Sequence, residues 1–267
     1  MYNLFGEPLW QSNYTETSRP KSNLNETFLL NVTNGYRRMI ENNLKSTGKD
    51  KEEIQHDFIR LVLNPYLSDR YLIYSKTEGG GIYDEYELPI YAGDGKKIDI
   101  VVYDTVYDNV VLCINCKFPL ASYMKNMPNY EDILCGESYR LHKANPDTPI
   151  FNFIIMMSNI PVFNKDNDIT RFDNINDEVI KSFDTLARGI VKEDKFLKGF
   201  ALMVIDDNVV NENLTSIKTL DRFKWIHQNP FSLEFSVNGT YDNMIYNDFD
   251  RFINTILDCV KEYEKTH

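Results

Sequence analysis

The stretch 96-KKIDIVVYDTVYDNVVLCINCKFP-119 decides how the chain is read. Two apolar runs flank the polar segment DTVYDN, centred near Val106 and Tyr107, so the stretch reads as an antiparallel hairpin. A hairpin built only for a core would carry no polar groups, yet Asp99 interrupts the first run and Asn115 and Lys117 the second. Residues two apart in a strand share a face. Lys97, Asp99 and Val101 therefore lie on one side of the first strand, and Cys113, Asn115 and Lys117 on one side of the second. Folding about the turn sets Asp99 opposite Ile114 or Asn115, where facing Cβ atoms are about 5 Å apart. Asp99, Asn115 and Lys117 are expected to converge on one sheet face. The other face (Ile98, Ile100, Val102, Ile114, Cys116, Phe118) is wholly apolar.

Upstream of the hairpin, NETFLLNVTNGYRRMIENNL (from Asn25 to about Leu44) has helical spacing. DKEEIQHDFIRLVL opens on Asp50 as an N-cap and sets Ile54, Phe58, Leu61 and Val62 on one face. TEGGG breaks the chain at Gly79 to Gly81, and YDEYELPIYA follows as a strand. Downstream, Pro128 suits the first turn of a helix reaching about Lys143. TPIFNFIIMMS and KGFALMVIDD read as strands buried on both faces. NDEVIKSFDTLARGIV is a helix between them. SIKTLDRFKWIH reads as a short helix, FSLEFSV as a strand and NMIYNDFDRFINTILDCVKEYEK as the terminal helix. This order predicts an α/β (mixed α+β) fold: a mixed central β-sheet with an antiparallel hairpin, flanked by α-helices. One domain over residues 1–267 is expected, with the first twenty residues the least tied down.

Composition bounds the function. A 42% hydrophobic and 13% aromatic content supplies a sizeable core. No run of 18 apolar residues offers a membrane span. The stretch MYNLFGEPLWQSNYTETSRP lacks the basic-then-apolar pattern of a signal peptide. Four cysteines (Cys113, Cys116, Cys135, Cys259) make no disulfide framework, so a cytoplasmic protein is expected. A net charge of −11 argues against a protein that coats nucleic acid over its whole surface. It leaves room for a local basic groove, and Arg37 with Arg38, Lys96 with Lys97, Lys117 with Lys125, and Arg140 with Lys143 flank the hairpin.

The three polar groups suggest a chemistry. A carboxylate and an amide oxygen are hard ligands suited to Mg²⁺, which takes roughly six oxygens at about 2.1 Å and keeps several waters. A lysine beside such an ion can orient or deprotonate an attacking water, or steady charge developing on a phosphate. Phosphodiester hydrolysis needs these parts together.

A strand with Asp, a turn, a strand ending in acid-x-Lys, a helix and two further core strands resemble the PD-(D/E)XK nuclease superfamily, most closely its type II restriction endonucleases. The match lies on Asp99, on Asn115 at the second acidic position and on Lys117, and it covers about Tyr83 to Met157. The resemblance implies a restriction-endonuclease-like core and Mg²⁺-dependent, sequence-specific cleavage of double-stranded DNA by a homodimer. Asp99 and Asn115 would hold the metal. Lys117 would be catalytic, with Glu53 as a first-helix glutamate near the metal, and Lys97, Lys125 and Arg140 would contact substrate. Ile98 stands before Asp99 where the pattern has proline. Asn115 departs further, because an amide replaces a charged ligand. That departure leaves open a nuclease-fold DNA-binding protein impaired in cleavage.

Plainer readings accompany these. A cross-strand ion pair on a solvated face would also account for Asp99 and Lys117. Glu53 also completes a capping box with Asp50. CINC has the spacing of a zinc knuckle, but Cys113 and Cys116 point to opposite faces and no second pair lies nearby. Glu87 is a further acid beside the hairpin, and Glu137, Arg140 and His142 follow on the next helix, where a solvated face explains them equally. His56, His142, His227 and His267 form no metal spacing by sequence alone.

Overall fold

The computed structural model describes residues 23–41, 50–75, 86–91, 94–119, 123–165, 169–206, 228, 233–236 and 239–267. The first twenty residues, the glycine run at 79–81 and the helix expected over SIKTLDRFKWIH lie outside them.

Two helices open the described chain, α1 (Leu24–Glu41) and α2 (Asp50–Leu63). Five strands follow: β1 (Tyr71–Ser75), β2 (Tyr86–Tyr91), β3 (Asp94–Ile98), β4 (Ile100–Asp104) and β5 (Asn109–Lys117). After α3 (Tyr123–Ala144) come β6 (Ile150–Met157), β7 (Asn159–Phe163), β8 (Ile169–Asn174) and α4 (Asp177–Ala187). Then β9 (Gly199–Asp206), β10 (Glu234–Phe235), β11 (Ile245–Tyr246) and α5 (Phe249–Glu264) complete the order.

The central sheet runs β1-β4-β5-β6-β9-β10, with β11 also on β9. β1, β4 and β5 form an antiparallel meander. β5, β6 and β9 are parallel, as the intervening helices require. All eight residues of β6 are buried, the pattern of a parallel strand covered on both faces. One face carries Phe153, whose ring stacks on Phe252 at 4.6 Å and meets Phe28 and Phe249 edge-on, so α1 and α5 cover it. The other face carries Asn152 and Phe200. Phe183 of α4 packs on Phe200 at 6.1 Å, and Ser138 of α3 bonds to Asn152. The sheet is thus the middle layer of three.

Several boundaries differ from those the sequence predicts. The first run of the hairpin is split at Asp99: β3 pairs with β2 as a separate ribbon, while β4 joins the central sheet. The helix α3 begins at Tyr123, so Pro128 sits inside it and not in its first turn. An interior proline loses one helical hydrogen bond and costs roughly 3 kcal/mol. Burial of Leu134 and Leu141 on the same helix offsets that cost. The terminal helix starts at Phe249, not Asn243, because the Asp248 carboxylate accepts from the Arg251 N–H at 2.9 Å and fixes the N-cap there. Strands β1, β7, β8 and β11 are additional to the expected order, and among the described residues of FSLEFSV (233–236) the strand is the two-residue β10.

The closed end of the hairpin is locked by charge. Asp104 is fully buried, pairs with Arg70, and accepts the N–H groups of Val106 and Tyr107 across the turn. The Arg70 pair, reinforced by those two N–H bonds, holds its carboxyl down at about 2. Arg70 also lies over the ring of Tyr107 at 4.9 Å. Asp99, Asn115 and Lys117 lie at the other end of the hairpin.

Candidate functional site

At the open end, Ile100 faces Ile114, and the same register continued one step brings the Asp99 backbone alongside Asn115. Lys117 closes β5 two residues on. Asp99 and Lys117 are both half-buried, so groups at this end of the sheet are open to solvent.

The two candidate metal ligands have different surroundings. Asn115 is buried, beside Asn152 in the parallel register. Its Nδ2 donates to Asn152 Oδ1 at 3.2 Å, and Asn152 Nδ2 donates to Ser138 Oγ at 3.1 Å. A chain of amides and a hydroxyl therefore runs from β5 through β6 to α3. Asn115 Nδ2 is thereby committed to Asn152. The face that carries Asn115 lies under α3 through Ser138, while Asp99 and Lys117 are half-buried.

Asp99 sits at the bend between β3 and β4, where the backbone leaves one ribbon and enters the sheet. Its Oδ2 accepts the Cys116 N–H at 2.7 Å, replacing a ladder bond with a side-chain bond. This carboxylate, a ring nitrogen of His56 and the Cys116 sulfur all lie within 4.8 Å of one another. Cys116 shares its face with Phe153, the face that α1 and α5 cover. Asp99 thus reaches from the Asn115 register position towards the Cys116 side of the sheet.

The remaining candidates are dispersed. Glu53 lies on α2 one turn before His56. Lys125 lies in the first turn of α3, which begins at Tyr123. Lys97 is exposed and opposite Glu87 in the β2–β3 ribbon. Lys96 forms an ion pair of 2.7 Å with Glu137, tying the ribbon to α3. Arg140 is exposed and donates from Nε to the Gly136 carbonyl at 3.2 Å. The His142 ring packs on Phe196 at 5.8 Å. Cys113 is buried among apolar groups, which push its thiol well up; it and Cys116 are free thiols.

Sequence reasoning missed His56 and the two partners of Asn115. His56 follows Glu53 by three residues, one turn of the same helix, so helical spacing from Glu53 was the available signal. For Asn152 and Ser138 the signal was weaker: a polar residue inside the apolar run IFNFIIMM, and a serine one helical layer away.

Compared with protein-family models, with curated proteins and with solved structures, the chain matches none of them.

Proposed function

We propose that this chain is a Mg²⁺-dependent endonuclease that hydrolyses phosphodiester bonds of double-stranded DNA at a specific sequence. The observation that supports the reading is the register of β4 on β5, paired as far as Ile100 opposite Ile114; continued one step, it brings the Asp99 backbone alongside Asn115, with Lys117 two residues further along. The order helix, three-stranded antiparallel meander, helix, parallel strand around that register supports a restriction-endonuclease-like core.

The donor chemistry fits Mg²⁺ in part. Asp99 and Asn115 offer hard oxygens and would hold the ion. His56 and Cys116, the donors nearest the Asp99 carboxylate, suit a softer metal. Mg²⁺ bound by the oxygens would supply positive charge to a phosphate. Lys117 would orient and deprotonate the attacking water, and Asn152 would keep the Asn115 oxygen pointing at the ion. Lys97, Lys125 and Arg140 would meet the DNA backbone, and Glu53 would approach the metal from α2. Two such centres are needed to cut two strands, which favours a homodimer on a palindromic site.

One observation favours the second reading, a DNA-binding protein impaired in cleavage. Asn115 is buried and already engaged with Asn152, as a structural amide would be. Plasmid DNA incubated with and without Mg²⁺ separates the two. Discrete fragments only with Mg²⁺ are expected. A gel shift with no cutting would establish the impaired binder instead, and neither effect would overturn both.

A further inference from the structure

We infer that His56, Asp99 and Cys116 form a binding site for a thiophilic divalent cation of the Zn²⁺ or Co²⁺ class. The three groups come from three different elements: α2, the bend between β3 and β4, and β5. Their ligand atoms lie within 4.8 Å of one another, so contraction of about 1 Å brings them to the separations of a tetrahedral site with metal bonds of about 2.0 to 2.3 Å.

The identity of the donors selects the metal. Imidazole and thiolate are intermediate-to-soft ligands, and one carboxylate with them makes a set that Zn²⁺ and Co²⁺ take and Mg²⁺ refuses. Position supports the selection. His56 and Cys116 are 4% and 3% exposed, which shields a metal–sulfur bond from exchange with water. Asp99 is half-buried and gives the ion its route in. The Cys116 N–H fixes Asp99 Oδ2 at 2.7 Å, an outer hydrogen bond of the kind that orients a ligating carboxylate. Three protein ligands leave a fourth position for water.

Binding is a proton exchange. The Cys116 thiol gives its proton to solvent as its sulfur lone pair forms the metal bond, and His56 binds as neutral imidazole. Affinity therefore rises with pH. The site stands on its own geometry, whether or not the chain cuts DNA, although it shares Asp99 with the proposed Mg²⁺ centre.

Co²⁺ titration of the full chain under reducing conditions tests the site directly. A thiolate-to-cobalt charge-transfer band with intense visible bands of tetrahedral Co²⁺ is expected, saturating at one ion per chain. Cys116→Ala should abolish the charge-transfer band, while Cys135→Ser and Cys259→Ser retain it. His56→Ala should weaken Co²⁺ binding at least tenfold; far-ultraviolet circular dichroism checks that each variant is folded. Absence of the band in the folded parent would overturn the site, as would its persistence in Cys116→Ala. Neither result bears on DNA cleavage in Mg²⁺, so the two readings fail separately.

Discussion

Asn115 is the residue on which the proposed chemistry turns. It donates to Asn152, which donates to Ser138, so Asn115 is anchored through Nδ2 to an amide that is itself held at both ends. Asn115→Asp is expected to be tolerated, because Asn152 can reverse its amide, donate to the new carboxylate and accept from the Ser138 hydroxyl. The added charge should then lower the Mg²⁺ concentration for half-maximal cleavage severalfold, read from a metal titration; an unchanged or poorer response would mean that the site is organised around the amide. Lys117 is half-buried at the end of β5, where truncation removes little core volume. Lys117→Ala should reduce cleavage by about 10²-fold or more with an unchanged melting temperature. Cutting within tenfold of the parent would remove Lys117 from the chemistry. The backbone positions of Asp99, Asn115 and Lys117 were legible because strand alternation and a turn centre fix position within a hairpin. The expected convergence of their side chains on one sheet face is not what the structure shows, since the Asp99 carboxylate lies with His56 and Cys116. Which way the Asp99 carboxylate points was not legible, because that depends on the bend between two ribbons and on His56 arriving from another helix.

At the level of elements, the hairpin is held at its turn by Asp104 and Arg70, far along the strands from the candidate site. The Asp104 carboxyl is held at about 2 against an ordinary 3.8, so the folded state binds its proton less readily than the unfolded chain. The stabilisation is therefore fully present above the ordinary value and is lost as pH falls from about 4 to 2. Asp104→Ala should cost about 3 kcal/mol at neutral pH, since it strips Arg70 and two turn N–H groups of their acceptor. Urea unfolding at neutral and acid pH should show the variant's stability changing less with acid than the parent's. Phe153, central to the aromatic cluster of α1 and α5, gives a contrasting case: Phe153→Ala should cost about 4 kcal/mol by leaving a cavity, measurable in the same titrations at neutral pH. The buried strands β6 and β9 were readable as unbroken apolar runs. Strand β1 was not, because YLIYS is short and mixed, and its place is set by pairing with β4 rather than by its own pattern. The start of α5 depended on Asp248 winning over the five preceding residues that the sequence also read as helical.

For the whole molecule, a net charge of −11 means that the proposed contact with DNA would be made through a local groove and not over the surface at large. No helix among the described residues is long and apolar enough to cross a membrane. The layered sheet brings both helix layers to the edge of β5, so that α2 and α3 flank the same sheet end from opposite sides. That arrangement puts Asn115 under α3 on one side of the sheet and the Asp99 carboxylate with His56 and Cys116 on the other. Binding through phosphate contacts should weaken steeply with salt, and the shift in duplex affinity between low and physiological salt measures how many cations take part. The central claim is that Asp99 and Lys117 form a metal-dependent phosphodiesterase centre. Its most direct measurement compares supercoiled plasmid incubated with the parent chain and with Asp99→Asn, which keeps an acceptor for the Cys116 N–H while removing the charge, in Mg²⁺ and in excess chelator. Discrete linear products from the parent in Mg²⁺ alone, with none from Asp99→Asn, are the predicted result; equal cutting by both proteins, or intact plasmid with the parent at saturating Mg²⁺, would contradict it.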